Sequence, residues 1–134
     1  MVVELSMRWL ENLPENCPPE DAYVPREFVC YRIVSNNPVD DTDFYSQREL
    51  YPIKRFSVCE CKARAVSVME NLDDANVVIK LPPYKEDRIV RVCLNPGAGV
   101  VKHTPSRRSR HPFLSHHSWW VASDYMTTIT TEEL

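Results

Sequence analysis

The sequence predicts one α+β domain with a mixed, mostly antiparallel sheet and two or three short helices. Three observations lead there. Strand-like runs outnumber helix-like ones, and their order does not alternate as a parallel βαβ chain requires. The 134 residues suffice for a single core and are too few for two typical domains. Eleven prolines against two glycines imply stiff connections, and both glycines fall in one short stretch, NPGAG, at 95–99.

Taken in order, ELSMRWLENL (4–13) spaces Leu5, Trp9, Leu10 and Leu13 near helical intervals and is expected to be a helix. PENCPPEDAYVPRE (14–27) holds four prolines and must be an extended loop, so residues 1–27 form a lead-in to a core spanning 28–131. FVCYRIV (28–34) is apolar and β-branched, as in a buried strand. DTDFYSQREL follows the turn SNNPVDD and begins a short helix, with Asp40 or Asp41 as its cap. RFSVCE (55–60) reads as a second strand, and in KARAVSVMENL the positions Ala65, Val66, Met69 and Leu72 suit one helical face. ANVVIKL (75–81), RIVRVCL (88–94) and GVVKH (99–103) then read as strands. TPSRRSRHP is loop, and SWWVAS and YMTTITT close the sheet.

No run approaches the roughly 20 apolar residues needed to cross a bilayer, and the first residues do not form a basic region followed by an apolar one. A cytoplasmic protein is therefore expected. Five cysteines make an odd set, three of them inside apolar runs, which suits buried reduced thiols. The net charge of −3 hides a strong asymmetry. From Arg88 to Ser123 there is no acid, but there are six basic residues and all four histidines, whereas residues 1–87 hold ten basic against sixteen acidic side chains. A face that attracts anions follows.

Four constellations carry possible chemistry. On a strand, Cys59 and Cys61 share a face and offer thiolates to zinc, but the spacing lacks a second pair, and no metal site is expected. Cys61, near a helix start at Lys62, is a candidate thiol nucleophile; a buried thiol is the simpler reading. The stretch KHTPSRRSRH supplies Lys102, Arg107, Arg108 and Arg110 for phosphates, with aromatic residues after it for stacking. Against a dedicated nucleic-acid binder stands the pI near 5.8. Neither a P-loop nor G-x-G-x-x-G occurs, so any nucleotide pocket must be built from strand residues, and NPG is more simply a turn.

Taken together, Tyr31-Arg32-Ile33-Val34, Asn37-Pro38, Asp43-Phe44, Ser46, Phe56-Ser57-Val58, Ala63 and Ala65, VVIKLPP and His117-Ser118-Trp119-Trp120 form a suggestive order. Over about residues 28–122 it resembles a family of small bacterial and phage proteins. That pattern is in turn similar to the ADP-ribosyltransferase-like fold, whose relatives include NAD-using RNA phosphotransferases and NAD-consuming toxins. The resemblance implies that Arg32 grips the cofactor and that Ser57 precedes the helix behind it. For the catalytic acid, only Asp124 and Glu132 lie near the expected position, and neither sits in the motif. The implied activity is NAD glycohydrolysis or ADP-ribosyl transfer, with NAD as possible cofactor. Arg32, Ser57 and His117 are the expected catalytic set, and Tyr31, His116, Trp119, Arg107, Arg108 and Arg110 the ligand-binding set. The expected partner is an anionic ligand of nucleotide type, with RNA possible. The alternative is a non-enzymatic module that binds an acidic protein or nucleic acid through residues 102–120.

Overall fold

The apolar run FVCYRIV forms β1 (Phe28–Val34), an interior strand of a six-stranded sheet. The structure, a computed structural model, describes residues 7–84, 86–106 and 112–134. The other strands are β2 (Val66–Met69), β3 (Arg88–Leu94), β4 (Gly99–His103), β5 (His116–Val121) and β6 (Ile129–Glu133). Their order is β4-β5-β2-β1-β3-β6, and every neighbouring pair is antiparallel. Among the described residues, three short helices, α1 (Gln47–Leu50), α2 (Glu60–Ala63) and α3 (Leu72–Ile79), complete an α+β domain.

Side chains alternate between the two faces of a strand, and the registers make that alternation consistent across the sheet. One face carries Cys30, Val68, Val90, Val92 and Trp119, all at 1% exposure or less. Phe44 and Tyr125 close it, each meeting Trp119 edge to face. Burying each large side chain contributes on the order of 2–3 kcal/mol. The opposite face carries Tyr31, Ile33, Met69 and Ile89, and Leu72, Ala75, Val78 and Ile79 of α3 pack against it. Both tryptophan N–H groups of β5 are satisfied, Trp119 by Ala98 O at 3.0 Å and Trp120 by Cys61 O at 2.9 Å. The second of these ties β5 to α2.

Several expected elements differ. Residues 75–81 are not a strand, because most of them belong to α3. Asn71 caps that helix by accepting from Asp73 N at 2.7 Å, and Asp73 and Asp74 favour its first turn. Residues 66–69 are β2 rather than helix, since pairing with β5 captures them. Residues 55–60 make turns and the start of α2, not a strand. Within the expected helix 4–13, the described residues 7–13 are not helical. Trp9 bridges Ala122 instead, and Leu10 N donates to Val121 O at 2.9 Å.

The expectation of buried reduced thiols holds for Cys30; Cys17 and Cys61 are oxidised, Cys59 is exposed and Cys93 is partly buried. Cys17 and Cys61 form a disulfide because the proline-rich lead-in returns to α2, bringing their Cα atoms to 5.5 Å. The same lead-in runs along β4, where Tyr23 and Val101 exchange backbone hydrogen bonds at 2.9 and 2.8 Å. Cys30 is a buried free thiol whose pKa burial pushes up. Among the described residues no helix is long and apolar enough to cross a membrane.

Candidate functional site

Seven consecutive residue pairs join β1 to β3, but a single pair, Tyr31 with Met69, joins β1 to β2. Where the two strands part, a cleft of about 550 Å³ opens. Arg32 reaches into the gap. Its Nε donates to Asp43 O at 3.1 Å and its Nη1 to Ser67 O at 2.8 Å, so the side chain supplies β2 with a donor that the ladder no longer provides. Its Nη2 makes no hydrogen bond among the described residues. Burial pulls the guanidinium pKa down, while Tyr84 and Asp43 act the other way; the group stays charged at neutral pH.

The wall beside Arg32 is fixed by a turn that is satisfied from within. The buried Asp43 carboxylate accepts from Ser35 N at 2.8 Å, Asn36 N at 3.3 Å and Asp40 N at 3.1 Å. Asp40 reciprocates as the cap of the 3-10 turn Asp41–Phe44, accepting from Thr42 N at 2.9 Å. Ser46 caps α1 and in turn donates to Glu11 at 2.6 Å. Tyr31, Tyr45, Tyr51 and Tyr84 give the cleft an aromatic lining. Lys54 adds a second cation, its Nζ 5.4 Å from the centre of the Tyr51 ring.

Ser67 also lines the cleft and is exposed. Its Oγ lies 2.8 Å from His116 Nε2, and His116 Nδ1 lies 2.8 Å from Thr104 O. A carbonyl only accepts, so Nδ1 carries the imidazole proton and Nε2 is the acceptor for the Ser67 hydroxyl. Thr104 Oγ1 touches both His116 Nδ1, at 2.9 Å, and Ser118 Oγ, at 2.8 Å. Burial is the main cause that lowers the His116 pKa, with the nearby Lys62 charge adding to it.

Of the residues singled out by sequence, Tyr31 and Arg32 lie in this cleft, and His116 reaches it through Ser67. Ser57 is exposed in the turn before α2, neither ending a strand nor lining the cleft. His117 and Trp119 project to the other side of β5. His117 is 4% exposed, with its ring 4.9 Å from those of Phe28 and His103. Trp119 is fully buried and packs the core instead of offering a stacking surface. Arg107, Arg108 and Arg110 lie outside the described residues. Sequence reasoning misses Ser67, because its segment reads as helix.

The expected uncompensated positive face is corrected in part. Arg88 pairs with Glu133 at 2.8 Å, Arg91 with Glu132 and Lys102 with Asp21 at 3.1 Å, so carboxylates distant in sequence neutralise three cations of the acid-free window. Glu132 is thereby engaged on β6, and Asp124 begins the 3-10 turn Tyr125–Thr127. Neither lines the cleft, whose carboxylates among the described residues are Asp43 and Asp87. Cys61 is committed to its disulfide and supplies neither a zinc ligand nor a nucleophile. Among the described residues, no three His, Cys, Asp or Glu side chains are arranged to hold a metal ion. Comparisons with family models, with curated proteins and with solved structures found no match to this chain.

Proposed function

We propose that the cleft between β1 and β2 binds a small planar anionic ligand of nucleotide type. The observation that carries the reading is Arg32, held on the cleft wall by two backbone carbonyls with Nη2 left unpaired among the described residues. A guanidinium presents its donors in a fork that matches a phosphate, and anchoring one side orients the other at little entropic cost. Tyrosine rings provide faces for a base or nicotinamide, with hydroxyls for its polar edge. A cleft of about 550 Å³ is within the range of roughly 300–1,000 Å³ typical of small-molecule sites. Lys54, exposed at the margin, adds attraction for a second phosphate. NAD and ADP-ribose satisfy these requirements and agree with the resemblance to ADP-ribosyltransferase-like proteins.

Calorimetric titration with NAD, ADP-ribose and AMP tests the reading. Binding that weakens about tenfold in Lys54→Glu, and is lost in Arg32→Gln, supports it. The absence of heat with all three at millimolar concentration, or binding unchanged in both variants, overturns it.

A further inference from the structure

We propose that Ser67 and His116 form a nucleophile and general-base pair that hydrolyses a carboxylic ester held in the cleft. The hydroxyl and Nε2 are 2.8 Å apart, within the distance at which an imidazole removes a serine proton. The base is oriented by a third group, since Nδ1–H is held on Thr104 O at 2.8 Å, which leaves the Nε2 lone pair directed at Ser67. The nucleophile is accessible: Ser67 is exposed and lines the cleft. Arg32 Nη1 also donates to Ser67 O and so fixes the backbone that carries the nucleophile.

The reaction balances without any co-reactant other than water. Ser67 Oγ attacks the ester carbonyl carbon while its proton passes to His116 Nε2. The tetrahedral intermediate collapses, the bond from carbon to the alkoxy oxygen breaks, and the leaving alcohol takes the proton from Nε2. Water then attacks the acyl-serine, giving its proton to Nε2. Collapse releases the carboxylic acid and returns that proton to Ser67 Oγ. The tyrosine lining suits an ester of an aromatic alcohol. The proposal rests on the cleft being a ligand site, and not on that ligand being a nucleotide.

The test uses the full chain with 4-nitrophenyl acetate as substrate and a fluorophosphonate as covalent probe. Expected are release of 4-nitrophenolate, an adduct located on Ser67 by peptide mass spectrometry, and loss of both in Ser67→Ala. His116→Gln should lower the rate about 100-fold. Ser67→Thr, which suits a strand and crowds the attacking oxygen, should lower it also and guards against a misfolded alanine variant. No adduct on Ser67, or equal rates in the wild type and both Ser67 variants, overturns the proposal. Calorimetry on Ser67→Ala separates the two ideas. Nucleotide binding without esterase activity in the wild type removes this proposal alone, and Ser67 labelling without nucleotide binding removes only the reading of the ligand.

Discussion

Ser67 and His116 lie on adjacent antiparallel strands, their hydroxyl oxygen and Nε2 2.8 Å apart, with the far side of the imidazole held by Thr104. Because burial lowers the His116 pKa, its neutral form persists below the ordinary imidazole range. Ester hydrolysis should therefore show its acid limb below about pH 6.5, the unperturbed histidine value. The linkage has the same sign. In the window below that value the unfolded chain binds the proton and the folded one does not, so stability decreases as the pH is lowered, until the lowered pKa is passed, and is then constant. Rate and urea midpoint measured across pH 4–8 check both, and His116→Gln should remove this part of the pH dependence.

Arg32 fastens two strands that otherwise share one residue pair. Arg32→Leu leaves Asp43 O and Ser67 O without their donors and should destabilise the fold by about 3 kcal/mol, as for loss of hydrogen bonds to a charged group. Urea unfolding measures this. A shift below about 0.5 kcal/mol would mean that the strands hold together without it.

The two glycines should respond differently to a methyl group. A Cβ on Gly99 (φ +128°) falls 2.0 Å from Trp120 O, on the backbone of β5, which has little room to move. On Gly97 (φ +104°) the nearest atom is a side-chain methyl, Thr128 Cγ2, at 2.7 Å. Gly99→Ala should cost more than about 4 kcal/mol and Gly97→Ala roughly half as much. Thermal melts of the two variants decide the order.

The Cys17–Cys61 bridge spans a sequence separation of 44. Closing a loop of that length in the unfolded chain contributes about 4 kcal/mol in the chain-entropy model. Reduction, or Cys17→Ser with Cys61→Ser, should lower the urea midpoint accordingly. Equal midpoints with and without reductant would show that the bridge adds nothing.

Much of the sheet is readable from its sequence. FVCYRIV, RIVRVCL and GVVKH become β1, β3 and β4 at the expected bounds, because their apolar, β-branched character and pairing partners agree. The exchange between β2 and α3 has a physical cause. VVI has strand propensity, yet Leu72, Ala75, Val78 and Ile79 also form a helical stripe, and the cap at Asn71 together with the sheet face beneath decides for helix. VSVM alternates buried, exposed, buried, the mark of a strand, but Ala65, Val66 and Met69 also suit a helix.

The site is legible only in part. Arg32 stands out because an arginine in an apolar strand needs partners. Neighbours on a strand face opposite ways, and only the register with β2 determines that His116, not His117, meets Ser67. Three cations of the acid-free window find carboxylates from residue 21 or from the last two residues of β6, a pairing invisible without the tertiary arrangement.

The single-pair junction of Tyr31 with Met69 divides the sheet into two three-stranded leaves, β4-β5-β2 and β1-β3-β6. Amide protons bordering that seam should exchange with deuterium ahead of those in the seven-pair ladder between β1 and β3. A molecule wedged between the leaves would slow that exchange, making isotope uptake a reporter of occupancy whatever the chemical nature of the occupant.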